Sequence, residues 1–594
     1  MELSKYVLDA VCAIKNSGSR HSYHAARELK IAAENAAETH DAHILEVVGG
    51  VLSLSYSIDK FEFSPLFVFE DSRSFALKDI QPGDVEILEK LVPVVVNTWV
   101  RTRLSHVVWI LTNNYKYGQQ AVEGYLQQFE DTFDPEHWLD CDHAIQCAFH
   151  IASSLGKKTD SFKNTRIALN KKIGVMDGED PLFLSLSLLK LALKDASQQE
   201  LESYRPIVSK LATKNICANN TNTHLADETF AVQGLLLKRL KQQNDIHAAT
   251  VNYASYYEAY ADSLARKKDY HRAVLMLKKS CTLYGTVDRE KLLNLRSRLE
   301  DLQKKALKQM QAIPFTINTA STYDFVKQLF DGLTIEEAVV QIGRIATIYK
   351  VEDVKQQVLK RQQEEVFSSM FSSSMLNEEG QTVQDLPPLS EAVAEENGDA
   401  LLMHMVRHVS EQRGMIESIS LRYAFSFLEK AGRIEEKSLD FLVSDNAIIP
   451  ESRKEIIREG LYLGLTGKLY ASMHILLPQT ENIFRNLVKM CGDTVTFLKD
   501  DGTESYKPLS ALFKSDKLRE CYSEDIIFTF QSIMDDPIGE NLRNLNAHGL
   551  LEPKKGSSMS AVCFLCLLVK LLVMYSPKAQ PILKRIAERG IGTS

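Results

Sequence analysis

Hydrophobic positions recur along most of this chain with the spacing of amphipathic helices. Clear examples run from Ala25 to Val48 and from Leu182 to Leu193, where apolar residues return every three to four positions and share one helical face. Aromatic residues alternate with polar ones at 61–69, which indicates a short strand, although Pro65 interrupts it. The pattern therefore predicts an all-α, mostly helical protein of several domains.

Successive helical hairpins are indicated between residues 228 and 308. One pair, with Tyr257, Tyr260 and Ala261 in the first helix and Ala273 in the second, resembles a tetratricopeptide helix pair. Small alanines let two helices approach closely, and tyrosines fill the space above them. A single unit is not an array, so solenoid-like packing and a plain helical scaffold both stay open. A groove for a protein partner or regulator is a hypothesis.

A polar segment at 366–399 interrupts the helical pattern. It contains several serines, the pair Pro387-Pro388 and many acidic residues, a composition typical of a linker or long loop. The domains that we predict are an N-terminal helical domain at 1–220, a helical-hairpin region at 221–365, this linker at 366–399 and a C-terminal helical domain at 400–594.

Residues 494–503 predict a small β-hairpin inserted into the C-terminal helices. Apolar and polar residues alternate there, and Asp501-Gly502 supplies a sequence that favours a tight turn.

Composition and charge exclude several classes of protein. The formal net charge of -8 lacks the basic excess of a stable nucleic-acid coat or of a protein that binds membrane surfaces. From Glu451 onward, 19 basic residues stand against 17 acidic ones, a balance of +2 that leaves -10 for the remainder. We therefore expect a nucleic acid, if one binds, to meet the C-terminal domain.

Features that bear on location predict a cytoplasmic protein with no membrane partner. Residues Met1 to Tyr6 lack the basic and apolar pattern of a secretory signal. The most apolar stretch, Ala561 to Tyr575, contains Lys570 and is shorter than the ~20 residues that cross a bilayer, so we expect a buried bundle helix. The nine cysteines follow no repeated framework and suggest free thiols in a reducing compartment.

Two pairs of residues have a spacing typical of metal ligands, but their surroundings make them weak evidence for a metal site. Cys563 and Cys566 are surrounded by apolar residues and have no second pair nearby, so we expect them to pack in the core. His404 and His408 share a helical face, but no third ligand is evident. We therefore predict no metal and no cofactor.

One stretch near the carboxyl end combines groups that could cleave RNA. Residues 543–549 read Arg-Asn-Leu-Asn-Ala-His-Gly, so a permanent cation, an amide and a base that titrates near neutral pH lie within two helical turns. If His548 removes the proton of an RNA 2′-hydroxyl and Arg543 neutralises the charge that builds on the phosphorus, cleavage needs no metal. Asn544 precedes His548 by four residues, so its amide could orient the imidazole.

Arg543 and His548 would not point the same way in an unbroken helix, because five residues correspond to about 140°. Gly549 is consistent with a change of direction at this point, since glycine just past a helix end accepts the left-handed conformation and lets the last turn bend. A polar helix cap with no further role stays open as the alternative.

The same spacing of arginine and histidine occurs twice more. Arg101 and His106 lie in an apolar helical stretch, where we expect the histidine to pack or cap. Arg266 and His271 flank a Lys-Lys-Asp turn, where solvated charge explains them equally well. The spacing alone therefore does not identify a site.

A second polar group shares one predicted helix face. His474, Pro478, Glu481 and Arg485 fall at offsets of zero, four, seven and eleven, and the opposite face is apolar. Such a polar face could line a site. Glu481 and Arg485 are equally well explained as an ordinary surface ion pair four residues apart.

These segments together resemble a known family. His474, the run from Pro478 to Arg485 and the run from Arg543 to Gly549 look like the HEPN superfamily, specifically an uncharacterised C-terminal domain of bacterial proteins of antiviral and toxin type. The resemblance covers residues 440–594, about a quarter of the chain.

The resemblance implies an all-α bundle that commonly forms a homodimer and is often a metal-independent endoribonuclease. By this resemblance Arg543 and His548 are the catalytic pair, brought together with their copies across the two-fold axis, and Asn544 is the polar neighbour. The supporting residues are His474, Glu481 and Arg485. The N-terminal helices would sense a trigger or hold the enzyme inactive. Some superfamily members are non-catalytic scaffolds or bind nucleotides, so anion binding by the same site without turnover stays open.

Overall fold

The computed structural model describes residues 3–14, 22–58, 60–68, 72–311, 316–394 and 398–589. The chain divides into two compact units, residues 1–306 and 307–594. The described residues are mostly helical, which confirms the predicted all-α class, and their paired strands form three antiparallel two-stranded sheets.

The first unit is built from helices α1 to α14. In chain order they are Lys5–Ala13, Ser22–Glu34, Thr39–Ser53, Pro82–Leu91, Thr98–Thr112, Tyr115–Asp131, Leu139–Leu155, Asp160–Met176, Leu184–Ala192, Gln198–Asn215, Thr223–Arg239, Gln243–Arg266, Tyr270–Val287 and Arg289–Gln309. Strand β1, Ser55–Ser57, pairs with β2, Glu62–Ser64. The predicted strand at 61–69 is therefore confirmed only in part, and its Phe69 lies outside the described residues.

Local side chains explain where helices of the first unit break. The periodicity from Ala25 to Val48 forms two helices, α2 and α3. Asn35 follows the last residue of α2 and caps its end by donating a hydrogen bond from its amide to the Ile31 carbonyl at 2.8 Å. Further along, the predicted helical hairpin forms as α12 and α13. Its Ala261 and Ala273 are fully buried, as expected where two helices approach closely.

The second unit contains helices α15 to α31. In chain order they are Ala320–Phe330, Ile335–Ile345, Val351–Glu364, Val366–Ser369, Leu389–Ala394, Gly398–Gln412, Ser418–Ala431, Asp440–Val443, Lys454–Leu465, Leu469–Met490, Leu509–Phe513, Asp516–Cys521, Glu524–Met534, Leu542–Ala547, Pro553–Gly556, Met559–Tyr575 and Gln580–Glu588. A π-helical turn, Arg413–Glu417, joins α20 to α21. The core of the second unit includes α30, where Cys563 and Cys566 are buried as predicted.

The described residues of the second unit form two β-hairpins. β3, Ser373–Leu376, pairs with β4, Thr382–Leu386, inside the segment 366–399 for which we predict a linker. Leu386, the last residue of β4, and Leu389, the first residue of α19, are buried in an apolar cluster with side chains of α17 and α20. Residues 395–397 lie outside the described residues. The other hairpin confirms the prediction at 494–503.

That predicted hairpin consists of β5, Thr496–Leu498, and β6, Glu504–Tyr506. Gly502 in its turn has φ +79°, a conformation that glycine adopts without a steric penalty.

No single helix of the described residues is long and apolar enough to cross a membrane. Helices α30 and α31 meet that length and composition only as a pair bent by 102°. The α30 side chains are mostly buried in the core of the second unit, as predicted for residues 561–575.

Candidate functional site

Helix α24 presents one apolar face to the core and one polar face outward. Its side chains Leu476, Ile483 and Phe484 are almost completely buried, which is the burial that the apolar spacing predicts. Pro478 lies inside this helix on its exposed side. Glu481 lies on the more polar side and forms the centre of the candidate site.

Glu481 joins two arginines in one ion-paired cluster. Its Oε1 lies 2.7 Å from Nη2 of Arg485, four residues along the same helix, which confirms the predicted pair. Its Oε2 lies 2.7 Å from Nε of Arg543 in α28. The three side chains are 12%, 17% and 21% exposed, so solvent screens these contacts less than at an open surface. Glu481 therefore ties the motif helix to α24.

The inserted hairpin contributes to the same cluster. Arg485 donates a hydrogen bond from Nη2 to the Lys507 carbonyl at 3.3 Å, and its guanidinium carbon lies 5.3 Å from the centre of the Tyr506 ring. The hairpin thus helps to hold Arg485, a function that the sequence pattern does not reveal.

Asn544 holds Arg543 and the preceding loop. Its Oδ1 accepts a hydrogen bond from Arg543 Nη1 at 2.8 Å, and its Nδ2 donates to the Asp535 carbonyl at 3.1 Å and to Asn541 Oδ1 at 2.8 Å. Both ends of the amide are thus engaged, and no hydrogen bond joins Asn544 side chain to His548 within the described ranges. Our prediction that this amide orients the imidazole is not met in the single chain.

A buried ion pair fixes the point at which α28 begins. Glu540, two residues before α28, accepts hydrogen bonds from Arg413 at 3.0 Å and 2.6 Å, and both side chains are at most 5% exposed. Gly539 also permits a close approach, because a Cβ there would lie 1.8 Å from the Ser532 carbonyl oxygen. The chain then enters α28 through Asn541, whose φ is +54°.

Gly549 ends α28 in the conformation that the sequence predicts. Its φ is +70°, its N–H donates to the Asn546 carbonyl at 3.1 Å, and the Leu550 N–H donates to the Leu545 carbonyl at 2.8 Å. These two bonds form a Schellman motif. His548 is consequently the capping residue just past the helix, and its side chain is exposed.

The motif leaves two groups open to a ligand. Nη2 of Arg543 and the imidazole of His548 have no hydrogen-bond partner among the residues that the structure describes. The other guanidinium nitrogens of Arg543 are held by Glu481 and Asn544. The arrangement can therefore present a fixed cation and an accessible acid or base to an anion.

Asp535 is a carboxyl group near the motif that the sequence reasoning missed. Burial raises its pKa, although the hydrogen bond from Asn544 and the charge of Arg543 act in the opposite direction. Burial likewise raises the pKa of the adjacent Asp536. Two consecutive acids before Pro537 are the signal that could have drawn attention to this loop.

His474 lies apart from the ion-paired cluster. Its exposed ring meets the Tyr470 ring edge-on, with centroids 4.6 Å apart, and Tyr470 donates a hydrogen bond to the Leu551 carbonyl at 3.2 Å. In the described chain no hydrogen bond connects His474 to Glu481 or to an arginine. The structure therefore brings together four of the six predicted site residues, namely Arg543, Asn544, Glu481 and Arg485.

The two other arginine–histidine spacings fit their predicted structural roles. His106 is fully buried and its Nδ1 lies 2.9 Å from the Tyr125 hydroxyl, and burial sets its pKa well below the ordinary value. Arg266 and His271 are both exposed. In the described part of the chain, no group of three histidine, cysteine or acidic side chains is arranged to hold a metal ion.

Comparison with known proteins matches a part of the first unit to a protein family. A family model described as a domain of unknown function (DUF7380) matches residues 2–164, which lie in the first unit and exclude every residue of the candidate site. No curated protein matches the chain. No solved structure matches it.

Proposed function

We propose that this protein is a metal-independent endoribonuclease of HEPN type, with Arg543 and His548 as its catalytic pair and Asn544 as the residue that positions the arginine. The observation that carries the proposal is the geometry of α28. Its guanidinium is anchored by Glu481 and Asn544 with one nitrogen left open, and the imidazole at its end is exposed.

The proposed reaction uses the RNA strand's own nucleophile. His548 takes the proton of the 2′-hydroxyl, the 2′-oxygen forms a bond to phosphorus, and the bond from phosphorus to the 5′-oxygen breaks. Arg543 stabilises the extra negative charge on the phosphoryl oxygens. The 5′-oxygen takes a proton and leaves, so the products are a 2′,3′-cyclic phosphate and a 5′-hydroxyl end.

A homodimer through the second unit supplies the second proton-transfer group. One imidazole acts as base while His548 of a second copy acts as acid, because in-line displacement places the attacking 2′-oxygen and the leaving 5′-oxygen on opposite sides of the phosphorus, where one imidazole does not reach both. Sedimentation under cleavage conditions tests this assembly. A cleaving protein that is monomeric throughout would contradict the composite site.

We place this activity in bacterial antiviral defence or in a toxin, with the helical first unit as its regulator. A ribonuclease of broad action damages its own cell, so we expect induced expression of the wild type to slow growth. The His548→Ala variant, expressed to the same level, would not slow it. Equal growth inhibition by both would contradict this role.

Incubation of the purified full-length chain with total cellular RNA in a chelator tests the activity. We expect cleavage by the wild type and its loss in Arg543→Ala and in His548→Ala. His271→Ala is the matched control, since that exposed histidine also follows an arginine by five residues and lies in the first unit. Cleavage that survives both substitutions would reject the assigned site.

Analysis of the product ends separates this mechanism from metal-dependent hydrolysis. Attack by the 2′-oxygen leaves 5′-hydroxyl ends, which polynucleotide kinase labels directly. Products with 5′-phosphate ends would contradict the mechanism, because they indicate attack by an activated water.

The second candidate function is binding of an anion or nucleotide by the same residues without turnover. It is favoured by the ion pair between Arg543 and Glu481, which holds the cation in place and draws part of its field away from a reacting phosphate. Filter binding that retains RNA intact, and that is lost in Arg543→Ala, would support this second function over cleavage.

A further inference from the structure

A cavity of about 380 Å³ in the second unit shares no lining residue with the candidate site. It is formed by α17, α18, β3, α19 and α20, and its volume falls within the ~300–1,000 Å³ typical of small-ligand pockets. Its lining includes Val358 and Leu389, which are 2% and 7% exposed. The chemistry of its walls comes from two arginines, two histidines and two phenylalanines.

Glu411 fixes both guanidinium groups of the cavity. Its Oε2 lies 3.0 Å from Arg361 Nη1 and its Oε1 lies 2.9 Å from Arg407 Nε. Arg361 Nε also pairs with Glu365 at 3.2 Å, and Arg407 Nη1 donates to Ser373 Oγ at 2.7 Å. Nη2 of each arginine has no hydrogen-bond partner in the described ranges. Two cationic donors are therefore positioned and unused.

The two imidazoles supply hydrogen-bond acceptors. His404 Nε2 lies 2.9 Å from the Pro387 carbonyl oxygen, which can only accept, so Nε2 carries the proton and Nδ1 is left with its lone pair. His408 Nε2 makes the equivalent contact with Gln357 Oε1 at 2.8 Å. Burial lowers the pKa of both imidazoles, so the uncharged form with a free Nδ1 acceptor is favoured near neutral pH.

Two phenylalanine rings stand at the rim of the cavity. Phe367 and Phe371 are 77% and 59% exposed, and their ring centres lie 5.1 Å apart. Leaving large apolar rings in water forgoes the free energy that their burial would give, ~25 cal/mol per Å². The ring planes are inclined at 67° to each other, so a planar aromatic ligand that stacks on one ring and meets the other edge-on would recover it.

We propose that this cavity binds a nucleoside monophosphate. The free Nη2 groups of Arg361 and Arg407 bind its phosphate, in the charge-assisted geometry that guanidinium and phosphate favour. The base lies against Phe367 and Phe371, and an N–H of the base donates to Nδ1 of His404. This site shares no residue with the proposed ribonuclease site and does not depend on it.

The arginines, histidines and phenylalanines together favour a nucleoside monophosphate over inorganic phosphate or a free nucleoside. Inorganic phosphate would use the arginines and leave the rings exposed, while a free nucleoside would leave both guanidinium donors unused. Glu365 and Glu411 offset the charges of the two arginines, so the phosphate is held by the two free guanidinium N–H groups rather than by a net positive field.

Isothermal titration calorimetry of the full-length chain with AMP tests the proposal, with adenosine and inorganic phosphate as separate titrants. We expect AMP to bind more tightly than either. Arg407→Ala and Phe371→Ala should each weaken AMP binding at least ~10-fold, which is about 1.4 kcal/mol. The controls Arg433→Ala and Phe497→Ala replace exposed residues of the same types in the same unit, so their affinity should match the wild type.

Three results would overturn the proposal. The first is no heat of binding with AMP from wild-type protein whose circular dichroism shows an intact fold. The second is equal affinity for AMP and inorganic phosphate, which would show that the rings take no part. The third is self-association that Phe367→Ala or Phe371→Ala abolishes in sedimentation, without AMP binding, since the rings would then be covered by a second copy.

Discussion

Two arginine–histidine pairs with the same spacing, one in each unit, differ in whether the histidine is buried or exposed. In α5 the helix continues through Arg101 and His106, so the arginine is exposed while the imidazole is buried and bonded to Tyr125. In α28 the helix stops at Ala547, and the histidine that follows is exposed. The place where a helix ends therefore decides whether this spacing can present both groups to a ligand.

The sharpest way to test this comparison is to remove the arginine from each pair. We expect Arg543→Ala to lower the rate of RNA cleavage by ~10²–10⁴-fold, since the reacting phosphate loses the anchored cation that stabilises its developing charge. The matched change Arg101→Ala removes an exposed cation and should leave the rate unchanged. Rates of cleavage of a labelled RNA, measured in chelator, check both, and equal losses in both variants would contradict the distinction.

The buried ion pair before α28 can be tested by removing its arginine. Arg413→Ala leaves the buried Glu540 carboxylate without its partner, which we expect to lower the free energy of unfolding of the second unit by about 3–5 kcal/mol. Arg458→Ala is the control, because that arginine pairs with Glu436 and Asp440 near the surface and its loss should cost under ~1 kcal/mol. Thermal unfolding followed by circular dichroism measures both.

If Arg413→Ala unfolds the unit outright, the double variant Arg413→Met with Glu540→Leu keeps the test informative. It replaces two buried charges by apolar groups, which is often neutral for stability. A double variant as unstable as the single one would show that the ion pair is not the cause.

The C-terminal end of α28 can be tested by replacing the glycine that follows the helix. Gly549→Ala places a Cβ at φ +70°, so we expect a loss of roughly 1–2 kcal/mol in stability and a fall in cleavage as His548 changes direction. Gly174→Ala is a suitable control, because Gly174 lies within α8 with open space around it. A cleavage rate that is unaffected by Gly549→Ala would show that the helix end does not position the imidazole.

The buried His106 of the first unit predicts a pH dependence of stability. Burial depresses the pKa of His106 in the folded state, so the unfolded chain binds protons more readily and stability falls as pH drops below ~6.5. The expected slope from this group is at most ~1.4 kcal/mol per pH unit.

Tryptophan fluorescence reports unfolding of the first unit, because Trp99, Trp109 and Trp138, the three tryptophans of the chain, all lie there. Burial also lowers the pKa of His143 and His150 in that unit, so His106 contributes one part of the measured slope. The urea midpoint should fall between pH 6.5 and 5, and His106→Gln should reduce that slope. His548→Ala is the control, because His548 lies in the second unit and its loss should leave the slope reported by the tryptophans unchanged. An identical slope in His106→Gln and wild type would show that another group controls the acid sensitivity.

Particular residues show how far the sequence could predict the site. Gly549 ended its helix as expected, and Glu481 paired with Arg485 as expected, because both depend on neighbours within one helical turn. The link from Glu481 to Arg543 spans 62 positions, and no local pattern indicates it. His474 shares the exposed side of α24 but belongs to the surroundings of Tyr470, so a common helix face did not imply a common site.

By itself the sequence determined the helical class, the inserted hairpin and the buried apolar helix α30, because these depend on how side chains within a few turns divide between water and core. Only the tertiary structure decided which distant groups meet. It paired Glu481 with Arg543, Arg413 with Glu540, and the cavity arginines through Glu411. Those contacts depend on the path of the chain through the whole unit, and many paths are compatible with the same local periodicity.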